Sequence, residues 1–127
     1  KQENAILVLK MVKAWETQNA AECASYFADT VLMSMDYFSA KLSNDSIREL
    51  IETGYGNIES IKVEMRDWES VVSADGKDEW VTLWYNQTIV DNEGKSKSLS
   101  VINDAKIENS KIAIFNEYVQ HPPMEKE

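Results

Sequence analysis

Few residues in this chain have the type and placement to do chemistry. The first is Asp36, which closes the apolar run "TVLMSMD". A carboxylate at the end of a buried strand can act as a general base, because burial raises its pKa toward neutrality. Strand alternation puts Val31, Met33 and Met35 on one face and turns Asp36 away from it. Asp36 therefore reads as a turn or rim carboxylate that enters a pocket only through a bend or bulge. The second is Asn103, mid-strand in "SLSVINDAKI". A carboxamide on an apolar face costs about 1–3 kcal/mol unless it is paired. It cannot be an acid or a base, but its amide can hold a carbonyl or an oxyanion.

Register arithmetic supplies partners for Asn103. A two-residue turn at Asn109 and Ser110 sets Ile107 opposite Ile112, Ala105 opposite Ile114, Asn103 opposite Asn116 and Val101 opposite Tyr118. On one face the two amides then meet between apolar ends, and they either bond one another or reach a ligand. Tyr118 stands beside them and could add a hydroxyl. Asp104, Lys106, Phe115, Glu117 and Val119 fall on the opposite face.

Four tryptophans add aromatic surface: Trp15, Trp68, Trp80 and Trp84. Trp15 is placed between the first helix and the sheet. Trp80 and Trp84 share a strand face with Thr82, Asn86 and Thr88. That wall either stacks on a flat ligand or, if it is the convex face, meets a second copy of the chain. Asp67 pairs near Trp84 if the hairpin keeps register, which makes it a second candidate pocket acid. Cys23 is the only cysteine and reads as a small core residue. His121, the only histidine, precedes Pro122 and Pro123 in a terminal position unsuited to a buried catalytic triad. No cluster has metal-ligand spacing, no glycine-rich loop could cradle a phosphate, and no cofactor is expected.

These residues need elements to hold them. Ala5, Val8, Leu9, Val12 and Trp15 recur at helical spacing and form one apolar stripe. Asn19 ends that helix, and "AAECASYF" restarts a short one. "TVLMSM" reads as a strand. "SNDSIRELIETGYG" reads as a third helix with a capping box at Ser46 and Glu49, core positions at Ile47, Leu50 and Ile51, and a stop at Gly54. Four strands follow. The first two flank Asp75-Gly76, a strong hairpin signal. Their apolar phase shifts between Met65 and Trp68, which predicts a bulge near Asp67.

The 127 residues fit one domain, read as 1–121 with a tail over 122–127, and 43% hydrophobic content supports one core. A formal charge of -9 disfavours nucleic acid, and no basic cluster suggests an anionic membrane. No apolar run approaches the roughly 18 residues of a spanning helix. The compartment stays open: cytoplasmic, or periplasmic or secreted if a signal peptide was removed before Lys1.

The order of elements, with "AWETQNAAECASYFADTV", "SIRELI" and "VINDAKIENSKI" as its local carriers, resembles the SnoaL-like branch of the NTF2-like superfamily. The resemblance implies an α+β cone: N-terminal helices packed on a strongly curved antiparallel sheet, with a pocket at its mouth. Relatives include ketosteroid isomerases, polyketide cyclases, dehydratases, epoxide hydrolases and non-catalytic domains. The isomerase base lies eight residues past the aromatic of "YFAD", which is Met35 here, with Asp36 one further on. The helix-one hydroxyl falls on Met11 and the second acid on Asn103, so the isomerase set is not reproduced. The leading expectation is a homodimeric binder of a small, largely apolar ligand, with the pocket lined by Trp15, Met33, Trp84, Asn103, Asn116 and Tyr118. The alternatives are a cofactor-independent lyase, isomerase or cyclase using Asp36 or Asp67 as base and Asn103 as donor, and a purely structural domain.

Overall fold

The structure, a computed structural model, describes residues 2–120. His121 and the Pro122-Pro123 tail lie outside the described residues. Helix α1 spans Gln2–Glu16, and its stripe buries Ala5, Val8, Met11, Val12 and Ala14. Helix α2 spans Ala20–Ser25, and the Asn19 side chain caps it by accepting from the Glu22 N–H at 3.0 Å. Strands β1 (Phe27–Met35) and β2 (Phe38–Ser43) then pair as a hairpin around Asp36 and Tyr37. The sequence pattern indicates only the first of these two strands. Helix α3 spans Asn44–Tyr55.

The start and end of α3 differ from the expectation. Its cap is Ser43, whose hydroxyl accepts from the Ser46 N–H at 3.1 Å, so Ser46 lies inside the first turn rather than before it. Asn44 also donates to the carbonyls of Ala24 and Phe27, at 2.9 and 3.1 Å, which ties the helix start to α2 and β1. Gly54 does not stop the helix, which runs one residue further and is capped at Gly56.

Four long strands complete the chain: β3 (Ile58–Val72), β4 (Glu79–Asp91), β5 (Ser96–Glu108) and β6 (Lys111–Gln120). The sheet order is β2-β1-β6-β5-β4-β3. The sheet is mixed rather than wholly antiparallel, because β1 runs parallel to β6. Register shifts interrupt β3 twice, the β1–β6 pairing once and the β5–β6 pairing once. Each bulge bends its strand and increases twist, which curves the sheet around α1. The shift between Met65 and Asp67 falls where the apolar phase change placed it.

The β5–β6 shift changes the faces of β6. Glu108 pairs with Lys111 and Ile107 with Ile112, as the turn requires, and Asn109 and Ser110 both hold positive φ, at 51° and 61°. The next pairs are Lys106 with Ile114 and Ala105 with Phe115, so Ala113 is an extra residue. One inserted residue sends every later side chain to the other face. Phe115, Glu117 and Val119 therefore turn inward, and Asn116 and Tyr118 turn outward. The inward face buries Phe115, whose ring meets Phe27 edge-on at 5.6 Å. Pairing of Met33 with Phe115 fixes the same register on the β1 side.

Candidate functional site

Between the helices and the inner face of the sheet lies a cavity of about 500 Å³. Helix α1 contributes Met11, Val12 and Trp15 to its wall, α3 contributes Leu50 and Ile51, and the sheet contributes Met33, Met35, Leu99 and Phe115. The helical positions follow from helical spacing and Met33, Met35 and Leu99 from strand alternation, whereas Phe115 faces inward because of the Ala113 bulge. Trp15 is held in place twice over. Its ring stacks on Tyr55 with centroids 5.0 Å apart, and its indole N–H donates to Gln87 Oε1 at 2.8 Å.

The polar part of the wall comes from three neighbouring strands. Tyr85 on β4, Asn103 on β5 and Glu117 on β6 all face inward. The Tyr85 hydroxyl donates to Asn103 Oδ1 at 2.7 Å, and Asn103 Nδ2 donates to Glu117 Oε1 at 3.3 Å. An amide oxygen can only accept, so the tyrosine fixes which way the amide faces. Asn103 is fully buried, and this pairing offsets the cost of placing an amide there. Among the described residues, Asn103 is the only hydrogen-bond partner of the Glu117 carboxyl.

Burial pushes the Glu117 carboxyl above the usual carboxylate range; the Asn103 hydrogen bond opposes this, and the charge of Asp36 adds to it. Glu117 is only half-buried by surface because its open side is the cavity itself. Burial likewise raises the Tyr85 phenol well above its ordinary value. It also pushes the Cys23 thiol up to about 12, so Cys23 stays protonated.

The residues expected to form the site are divided between the two faces of the sheet. Trp15, Met33 and Asn103 line the cavity, and Asp36 stands at its rim in the β1–β2 turn. Trp84 does not line it. It follows inward-facing Leu83 on β4 and therefore turns outward. Asn116 and Tyr118 also lie on the outer face, because of the Ala113 bulge, so Asn103 and Asn116 cannot bond each other. Asp67 is opposite Trp84 on that outer face, where its carboxylate accepts from the Trp68 N–H at 2.8 Å, and it is not a pocket acid. Glu117 and Tyr85 are among the inward polar groups that sequence reasoning missed, as is Gln87, the acceptor for Trp15. Tyr85 was legible, since it shares strand phase with the buried Val81 and Leu83. Glu117 was not, because an alanine bulge has no sequence signature.

On the outer face Trp84, Ile102 and Tyr118 line a shallow groove together with Arg66. Ile102 and Tyr118 are exposed, and Trp84 is half-buried.

No protein-family model and no curated protein matches the chain. Its three-dimensional likenesses are extensive. An LEH-like epoxide hydrolase of M. tuberculosis superposes with a TM-score of 0.75 at 12% identity, covering 94% of this chain and 84% of that one. An NTF2-like protein of unknown function from Burkholderia pseudomallei gives 0.74 at 13% identity, covering 93% and 91%. A hypothetical protein with a ketosteroid isomerase-like fold from Catenulispora acidiphila, in complex with trimethylamine, gives 0.71 at 14% identity, covering 88% and 83%. At such identities the likeness is one of fold, an α+β cone like that of these NTF2-like and ketosteroid isomerase-like proteins.

Proposed function

We propose that the cavity binds a small, largely apolar molecule whose polar end meets the Tyr85–Asn103–Glu117 row. The supporting observation is an apolar cavity of about 500 Å³ with one convergent polar row in its wall. That size and composition are those of small-molecule sites. The test is fluorescence of the neutral apolar probe N-phenyl-1-naphthylamine. Binding should saturate with wild type and be lost when Leu99→Trp fills the cavity. Equal binding by both proteins would overturn the reading.

A second reading rests on Glu117 itself. A carboxyl raised by burial and oriented by an amide suits proton transfer, as a lyase, isomerase or cyclase would use. Glu117 takes the place of Asp67 in that reading, and Asn103 orients the base instead of holding an oxyanion. Deuterium exchange into the α-carbons of cyclohexanone should be accelerated by wild type and not by Glu117→Gln. Equal rates with both would remove it.

The outer groove supports a proposal for assembly. Leu32, Ile102 and Tyr118 expose apolar surface on the outer face of the sheet, beside the half-buried Trp84. The strands that carry the groove, β3 to β6, adjoin one another in the sheet, so a twofold partner would bury a contiguous patch. A second copy of the chain is the occupant proposed.

A further inference from the structure

Within the reading of the cavity as a ligand site, on which this inference rests, Gln87 supplies a second polar contact. It lines the cavity from β4, two residues beyond Tyr85 on the same inward face, about 7 Å of strand away. Its amide is oriented by the protein. The Trp15 indole N–H can only donate, so it takes Gln87 Oε1, at 2.8 Å, and leaves Nε2 on the other side. Trp15 is itself held by the Tyr55 ring and by the Tyr55 hydroxyl, which donates to the Trp15 carbonyl at 3.0 Å. Among the described residues no acceptor meets Gln87 Nε2. None of their side-chain nitrogens or oxygens is sealed in the packing without a partner, so this NH2 group opens onto the space that Gln87 lines.

We propose that Gln87 selects ligands that carry a carbonyl oxygen on the apolar body, apart from the polar end at the Tyr85–Asn103–Glu117 row. The Gln87 NH2 group donates to that oxygen. A ligand hydroxyl at the same point would leave its own proton unpaired, because this face of the amide offers no acceptor, whereas a carbonyl only accepts. The Trp15 hydrogen bond sets the amide before binding, so little freedom is lost when the ligand arrives. A ligand with a methylene in place of the carbonyl covers the Gln87 donors without pairing them, and that unmet hydrogen bond is what discriminates against it.

The test is calorimetric titration with 5-hydroxy-2-adamantanone and 1-adamantanol, which share a cage and a tertiary hydroxyl and differ by one carbonyl. Wild type should bind the ketone about 2- to 10-fold more tightly, the range expected of one net hydrogen bond. Gln87→Met should reverse that order, because the carbonyl is then buried without a donor. It should bind 1-adamantanol as wild type does, which also shows that the variant keeps its cavity. Gln87→Glu keeps an acceptor for Trp15 without the amide donors and should lose the preference too, so it carries the test should Gln87→Met unfold. Equal affinity of wild type for the two probes, or a preference that either variant leaves intact, overturns the proposal and spares the cavity reading. Failure of wild type to bind either probe overturns both.

Discussion

The Ala113 bulge decides which β6 side chains enter the core, and alanine substitution reads that choice directly. Phe115 is 4% exposed and contacts Phe27 edge-on, whereas Tyr118 is 53% exposed on the other face. Truncating a buried phenylalanine costs about 3–5 kcal/mol. Phe115 already borders a cavity, so the low end, about 3 kcal/mol, applies. With unfolding entropy near 2.1 cal/mol/K per residue, the chain has about 0.27 kcal/mol/K, and Phe115→Ala should lower Tm by about 11 °C. Tyr118→Ala removes an exposed ring and should cost about 0.5 kcal/mol, or about 2 °C. Thermal unfolding followed by circular dichroism, at a concentration where sedimentation shows monomer, measures both. In the unbulged register the two residues exchange faces, so a Tyr118→Ala loss equal to or larger than that of Phe115→Ala would refute the reasoning.

Three further outcomes follow from the same geometry. The Glu117 carboxyl is raised in the folded protein, so folding is favoured by its protonation and that contribution is lost as pH rises through its raised pKa. Asn103 and the charge of Asp36 in the β1–β2 turn act on it, and its own charge acts on Tyr85. Glu117→Gln should therefore be more stable than wild type above that titration and should lose the advantage at lower pH; urea midpoints across pH that stay parallel would contradict this. Ser110 holds a left-handed φ of 61°, a conformation that costs a non-glycine residue about 1 kcal/mol. Ser110→Gly should raise stability by up to that amount in urea unfolding, and a loss would show that the turn relies on the serine. For the outer face, sedimentation should find a dimer that Ile102→Lys dissociates, and a monomer at every wild-type concentration would remove the assembly proposal.

How much was readable along the chain depended on whether the signal was local. Helix α1 follows from its own stripe, the β3–β4 hairpin from Asp75-Gly76, where Gly76 takes a φ of 74°, and the β3 bulge from a phase change between Met65 and Trp68. Each is written within a few adjacent residues. The strand β2 escaped notice because "FSAKLS" alternates only weakly, and its stability comes from pairing with β1. For the site, Trp15, Met33 and Asn103 were legible because each lies on an element whose apolar phase runs unbroken to that residue.

The identity of the β6 residues in the cavity was not legible, and the reason is physical. Phe115 and Tyr118 are both aromatic, and Asn116 and Glu117 are both polar, so local pattern assigns neither set to the core. The sequence alone determined the helices, the β3–β4 and β5–β6 hairpins, the two-residue turn at Asn109 and Ser110, and the presence of an amide on an apolar face at Asn103. Tertiary structure decided the partner of that amide. β6 must satisfy β5 on one side and β1 on the other while placing Phe115 against Phe27, and a single extra alanine lets it do so. That long-range demand exchanged Asn116 for Glu117 and turned an expected pair of neutral amides into a buried carboxyl.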